Sequence, residues 1–184
     1  MSSNRALTLV FPAFGAALIA VLSQITIPIG TVPFTLQTLA VGLVASTFRF
    51  RDASLNILVY WLLGAIGLPV FAGGAGGISA FVTPTAGFLW GFIAYACVTS
   101  YLCQRHSSLA GIFISNLLGD ALAFVCGVIG LHFLADMTWK AAWLTGVLPF
   151  LLPELGKIVV ISLISQTLRR SLQHLPYFQA IEKG

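Results

Sequence analysis

Residues 143–168 read WLTGVLPFLLPELGKIVVISLISQTL, an apolar run long enough to cross a bilayer, which takes about 20 residues as a helix. The run carries its own interruption. Pro149 and Pro153 stand just ahead of Glu154 and Lys157, and Gly156 lies between the two charges. Prolines inside a helix remove backbone hydrogen bonds and kink or break it. Irregular backbone survives at bilayer depth only inside protein or beside water. An ionised side chain there costs about 2.5–3.5 kcal/mol on insertion scales, and it is tolerated when it pairs or lines a cavity. Glu154 and Lys157 are three residues apart, so a helix puts both on one face. The segment reads either as the polar wall of a ligand cavity or as a self-neutralising ion pair; the break around it favours the cavity.

The rest of the chain repeats the apolar pattern with one ionisable carboxyl at depth, Asp120. Further spans are expected at about 7–25, 34–48, 54–68, 87–103 and 109–134, which with 143–168 makes six in one transmembrane domain covering 1–184. Of the 184 residues, 58% are hydrophobic and 8% charged. A soluble domain carries about 25% charged residues, so the outer surface of this one must meet lipid. The fold class is all-α, a polytopic membrane protein. Arg5 precedes the first apolar run, which lacks a clear cleavage pattern and reads as a retained helix rather than a signal peptide.

Charge orients the stack. With a cytoplasmic N-terminus, Arg5, Arg49, Arg51, Arg105, Arg169, Arg170 and Lys183 fall inside and only Lys140 falls in an outer loop. That asymmetry follows the positive-inside rule and puts both termini in the cytoplasm. The stretch from Ser171 to Gly184 is polar enough to leave the membrane and lie along its inner surface. The basic residues are scattered, which argues against a nucleic-acid partner. Cys97, Cys103 and Cys126 form no CxxC or His/Cys cluster, so neither a metal nor a cofactor is implied. Ser79 has no nucleophile setting and Asp120 no partner aspartate, so an intramembrane enzyme is not expected.

Other groups are candidates beside the Glu154/Lys157 pair. The loop Phe71-Ala72-Gly73-Gly74-Ala75-Gly76-Gly77 lacks the Lys-Ser/Thr of a phosphate-binding loop; it is either a flexible outer lid or a tight turn. Thr35, Gln37 and Thr38 offer hydroxyls and an amide at the start of the second span, either to a small polar ligand or to cap the helix. Asp120 is either a second polar wall or the partner of His132 or of a backbone group. Ala13 and Ala17, with Ala16 and Ala20 beside them, set small residues four apart on the first span, which permits close approach of another helix, in a partner or within the chain.

Several local strings together resemble the BioY family. They are Val32-Pro33-Phe34-Thr35-Leu36-Gln37-Thr38; Gly64-Ala65-Ile66-Gly67-Leu68-Pro69-Val70-Phe71-Ala72-Gly73-Gly74 with Gly76-Gly77; Pro84-Thr85-Ala86-Gly87-Phe88-Leu89-Trp90-Gly91-Phe92; and Pro149 to Lys157. The sequence departs from the family pattern at Glu154, where Asp is usual, and at Ala86, where Gly is usual. The resemblance implies the six-helix fold of a substrate-binding S component of an energy-coupling factor (ECF) transporter, in a bacterial-type inner membrane. It implies biotin capture from outside, either with docking through Ala13 and Ala17 to a transmembrane T unit with two ATPases or by the subunit alone. On that reading Glu154 accepts from the ureido ring of biotin, and Lys157 donates to the ureido oxygen or pairs with the carboxylate tail. Phe34, Tyr60 and Phe71 pack on the rings, Thr35 and Gln37 add polar contacts, and Gly73 and Gly74 let the loop close. The competing readings are an S component for another small vitamin and a non-transporting membrane scaffold.

Overall fold

In the computed structural model, residues 3–175 and Tyr177 are described, with side chains from residue 10 onward. The side chain of Arg5, Lys183 and the tail past Tyr177 lie outside the described residues. The helices are α1 (Ser3–Ser23), α2 (Gln37–Thr47), α3 (Phe50–Ala65), α4 (Ala86–Arg105), α5 (Leu109–Leu134), α6 (Trp139–Gly146) and α7 (Leu151–Leu172). One two-stranded antiparallel sheet joins them, β1 (Thr26–Ile27) with β2 (Phe34–Thr35), pairing Thr26 with Thr35 and Ile27 with Phe34. The connections 24–36, 66–85 and 135–138 lie at one end of the bundle and the turns at 48–49 and 106–108 at the other.

Among the described residues, three stretches are long and apolar enough to cross a membrane: Ala86–Arg105, Leu109–Leu134 and Trp139–Leu172. The chain is a multi-pass membrane protein, and these stretches account for the expected spans at 87–103, 109–134 and 143–168. The first helix runs over Ser3–Ser23, and its part Val10–Ser23 is apolar; Gln37–Thr47 is apolar but shorter, and α3 opens with Phe50-Arg51-Asp52, whose charges shorten its apolar run.

The surface runs opposite to that of a soluble protein. On α7 the outward residues are Leu152, Leu155, Val159 and Leu163, while Glu154, Lys157, Ser162 and Ser165 are buried. This is the helical period of an amphipathic helix with its polar stripe inward, as lipid outside requires. The interior is knitted by hydrogen bonds between helices. The Tyr95 hydroxyl donates to Asn116 Oδ1 at 3.1 Å, and Asn116 Nδ2 donates to Ser46 Oγ at 2.7 Å and to Ile112 O at 2.8 Å. Nearer the 48–49 turn, Arg169 Nε donates to Ser46 O at 2.7 Å and Arg169 Nη1 to Cys103 O at 2.8 Å. These carbonyls lie in the last turns of α2 and α4, where no intrahelical donor remains and a cation is favoured.

Close backbone approach makes α4 and α5 a tight pair. A Cβ on Gly87 would run into the Cys126 carbonyl and the Gly130 backbone, and one on Gly91 into Ala123. Small residues four apart permit this contact in membranes, where packing rather than the hydrophobic effect holds helices together.

The expected last span is broken. Val147 ends α6, Leu148–Phe150 form one 3₁₀ turn, and α7 starts at Leu151. Pro149 falls in that turn. Pro153 falls in the first turn of α7, where its missing N–H has no intrahelical acceptor to lose. Two prolines that would disrupt a continuous helix instead define where a new one begins. Glu154 thereby sits at the N-terminal end of α7, where the helix dipole favours negative charge.

Candidate ligand-binding site

Glu154 and Lys157 pair at 2.6 Å, both side chains buried. The ammonium of Lys157 has three protons, and each has a protein acceptor: Glu154 Oε1 at 2.6 Å, Thr35 O at 2.6 Å and Thr38 Oγ1 at 2.9 Å. The Thr38 hydroxyl in turn donates to Glu154 Oε2 at 2.8 Å. Below this cluster the Phe34 ring takes the cation face-on, its centroid 4.2 Å from Nζ, a cation–π contact strengthened by desolvation. The β1–β2 pairing holds the Thr35 carbonyl in place, and α2, starting at Gln37, carries Thr38 onto the charges. Lys157 is thus saturated as a donor. Glu154 is not saturated as an acceptor: each carboxylate oxygen receives one hydrogen bond and keeps a lone pair.

Glu154 borders a cavity. This cavity, of about 280 Å³, is lined by Thr35, Gln37, Thr38 and Glu154 on one side and by Phe71, Phe88, Leu89, Phe92, Phe124 and Phe150 on others. That size is near the lower end of the roughly 300–1,000 Å³ of small-molecule sites, and a mostly apolar wall with a few convergent polar groups is their usual make-up. The α6–α7 break contributes Phe150 and, with Gly146, makes room that a continuous helix would fill.

The roof is the connection between α3 and α4. Ala72, Ala75, Gly76, Ser79, Ala80, Thr83 and Thr85 all face the cavity from it. Two 3₁₀ turns, Ala72–Gly74 and Ile78–Val82, shape it, and Gly73 and Gly74 turn the chain with φ of 67° and 76°, a region open to glycine. The roof is tied to the end of α1. Ser23 Oγ donates to Val70 O at 2.5 Å, Gln24 Nε2 to Pro69 O at 3.2 Å, and Gly73 N to Thr26 Oγ1 at 3.1 Å. An aromatic chain pins its inner side: Phe71 meets Tyr60 and Phe81 edge-on, with centroids 5.2 Å and 5.6 Å away.

Of the residues singled out from sequence, Glu154, Thr35, Gln37 and Phe71 line the cavity, whereas Lys157, Phe34, Tyr60, Gly73 and Gly74 stand behind it. Tyr60 is fully buried and accepts from Gln37 Nε2 at 2.5 Å. Ala13 and Ala17 lie far from the cavity, on the outward face of α1 with Val10, Phe14 and Val21. Asp120 is buried and does not pair with His132, whose Nδ1 lies 2.6 Å from Met137 O and whose ring stacks on Trp139. The residues that sequence reasoning passed over are Phe88, Phe92, Phe124 and Phe150. Phe88 and Phe92 are four apart on α4, a spacing that marks one helix face, but apolar residues on apolar helices carry no signal of which face is inward.

Comparison with known proteins agrees in extent. The family model described as "BioY family" matches residues 1–174. The chain is 42% identical over 175 residues to the biotin transporter BioY2 of Lactococcus lactis subsp. cremoris (strain MG1363), covering 95% of this chain and 96% of that protein. It is 40% identical over 154 residues to the biotin transporter BioY of Thermotoga maritima, covering 84% and 90% respectively. In fold it is similar to a solved structure titled as the S-component for biotin from an ECF-type ABC transporter, with a TM-score of 0.86 and 23% identity over 92% of this chain and 94% of that one.

Proposed function

The chain belongs to the BioY family, and from that premise we propose that it takes up biotin, as the membrane-embedded binding subunit of a vitamin importer. The observation that carries this reading is the Glu154 carboxylate, fixed by Lys157 and Thr38, presenting free lone pairs to a roofed and otherwise apolar cavity of about 280 Å³.

Biotin has a matching division of chemistry. Its ureido ring offers two N–H donors and a carbonyl, its thioether ring is apolar, and its tail ends in a carboxylate. Glu154 accepts from a ureido N–H, and the Gln37 amide and the Thr35 hydroxyl serve the remaining ureido atoms. Phe71, Phe88, Phe92, Phe124 and Phe150 surround the apolar ring and chain. Lys157, Phe34 and Tyr60 hold the contacting groups in position, and Gly73 and Gly74 give the roof its path. A ligand lacking the ureido N–H groups would leave Glu154 buried and unmet, which is how a polar site rejects near-isosteres strongly. No covalent step is required.

In this reading both termini face the cytoplasm of a bacterial-type inner membrane, and the cavity opens outward, because the basic residues gather at the 48–49 and 106–108 turns and at the end of α7. The exposed small-residue face of α1, with Ala13 and Ala17, suits docking to a T unit that works with two ATPases. Co-purification with such a module, and its loss on Ala13→Leu or Ala17→Leu, tests that part; transport by the subunit alone in vesicles would remove the need for it.

The central test is equilibrium binding to the purified protein with thermal stabilisation as a second readout, since a ligand bound at 100 times its Kd stabilises by about 2.7 kcal/mol. Biotin is expected to bind and stabilise, and an analogue methylated on both ureido nitrogens, which has no N–H left for Glu154, to do neither. Stabilisation by thiamine or riboflavin without a response to biotin would replace the assignment with another vitamin.

A further inference from the structure

The four tryptophans of the chain, Trp61, Trp90, Trp139 and Trp143, all fall toward the roof end of the bundle. Trp90, Trp139 and Trp143 are about half exposed. Tryptophan collects where acyl chains meet headgroups, so these rings mark the level of the bilayer interface on the roof side. The roof turn Ile78–Val82 lies at that level. Trp90 Nε1 donates to Phe81 O at 3.3 Å, and the Phe81 ring packs against Trp61 and Trp90 with centroids 6.1 Å and 5.2 Å away. Ahead of the turn, Gly77 N donates to Gly64 O at 2.7 Å, in the last turn of α3. The turn therefore lies across the roof-side ends of α3 and α4.

Its two faces differ. Ser79 and Ala80 line the cavity. Ile78 and Val82 are not among the lining residues and are 74% and 69% exposed. On α3, Leu58, Leu62 and Ile66 are exposed at four-residue spacing, which makes them one apolar, lipid-facing stripe. That stripe ends where the roof begins, and the Gly64–Gly77 hydrogen bond brings Ile78 to the same end of α3. Lipid beside the stripe would keep Ile78 and Val82 out of water, as the apolar side of an interfacial segment requires.

We propose that the Ile78–Val82 turn is seated in the roof-side leaflet, with Ile78 and Val82 against phospholipid acyl chains, and that the bilayer thereby holds the cavity shut. One 3₁₀ turn then separates ligand from lipid. Lifting it would bring both side chains into water and break the Trp90–Phe81 hydrogen bond, so both resist opening. For the identity of the ligand this rests on the biotin reading.

Depth is tested first, without ligand, in phosphatidylcholine nanodiscs. Nitroxide labels are placed singly on Ile78→Cys, Val82→Cys, Leu62→Cys and Arg51→Cys, with Cys97, Cys103 and Cys126 changed to alanine. Leu62 is on the lipid-facing stripe, and Arg51 is exposed beside the 48–49 turn. The labels at 78 and 82 are expected to follow Leu62, relaxed more by dissolved oxygen than by a water-soluble nickel chelate. Labels that follow Arg51 would overturn the seat, and so would labels that neither reagent reaches, which would put a second protein copy there. Closure is tested by biotin release from the same nanodiscs. Ile78→Ser with Val82→Ser is expected to speed dissociation about tenfold, the scale of the apolar burial given up, whereas Ile78→Leu with Val82→Leu keeps the wild-type rate. Unchanged release in the serine variant, or equally fast release in the leucine variant, would overturn the closure. If wild type does not bind biotin, the functional assignment fails, and the label depths still decide where the turn sits.

Discussion

Two buried polar clusters share α2 and α7, and they answer the same membrane problem differently. Toward the 48–49 turn, Tyr95, Asn116 and Ser46 close on one another, with Arg169 beneath them on the α2 and α4 carbonyls. None of these residues lines the cavity, and their hydrogen bonds hold helices together. Toward the roof, Glu154, Lys157 and Thr38 also close on one another, but Glu154 keeps spare acceptors and looks into empty space. What separates a binding group from polar glue is therefore not charge or burial, which both clusters have, but unfilled hydrogen-bonding capacity next to a volume that can hold a ligand.

The strongest way to break this contrast is Lys157→Ala. The lysine does not line the cavity, yet its removal strips Glu154 of its counter-charge and Thr35 and Thr38 of their donor. Breaking a buried pair from one side costs about 3–5 kcal/mol, so biotin affinity measured by titration calorimetry should fall by roughly two to four orders of magnitude. Binding within threefold of wild type in a folded variant would mean that Lys157 is no more than a structural neighbour. Glu154→Gln comes next. It keeps the shape and one acceptor but removes the charge, and a hydrogen bond to a charged group is worth about 1.5–3 kcal/mol. Affinity should drop by about one to two orders of magnitude, while the thermal midpoint without ligand moves little. A variant that binds normally would take Glu154 out of the site.

These two residues could be read without coordinates because their signal is local. A charge pair at helical spacing beside two prolines is unusual in an apolar span, and the break follows from the prolines alone. The saturation of Lys157 was not legible, because its acceptors Thr35 and Thr38 lie about 120 residues away in sequence and reach it only through the β1–β2 pairing. That pairing is two residues long, too short to leave an alternating pattern. The roof was visible as a glycine-rich run, but its ties to Ser23, Gln24 and Thr26 depend on where α1 stops, at Ser23 rather than Ile25. The five phenylalanines of the cavity are indistinguishable by type from those facing lipid. In a membrane, where both the interior and the surroundings are apolar, composition tells which segments cross and says little about which face points inward.

Thr38→Val separates the shared duties within the upper cluster. The threonine donates to Glu154 and accepts from Lys157, and valine has its shape without either capacity. One hydrogen bond contributes about 1 kcal/mol, so affinity is expected to fall by about fivefold to tenfold, with the larger share in faster dissociation read by stopped-flow release. A change below twofold would show that Lys157 alone is enough to hold the carboxylate.

Asn116→Leu probes the lower cluster, and there the expectation reverses. Leucine fills a similar volume and leaves the Tyr95 and Ser46 hydroxyls without their partner, in a bundle where an interhelical hydrogen bond averages about 0.6 kcal/mol. Orphaned groups add to that cost, so stability in detergent, followed by denaturant unfolding, should fall by about 1–2 kcal/mol. Biotin affinity should stay within twofold, because nothing in that cluster faces the cavity. If Asn116→Leu instead weakened binding as much as Thr38→Val does, the two clusters would have to be energetically one. Tyr95, whose hydroxyl rests on Asn116, and Phe92, one turn along α4 and on the cavity wall, would then be the path by which polar order deep in the bundle sets the shape of the site.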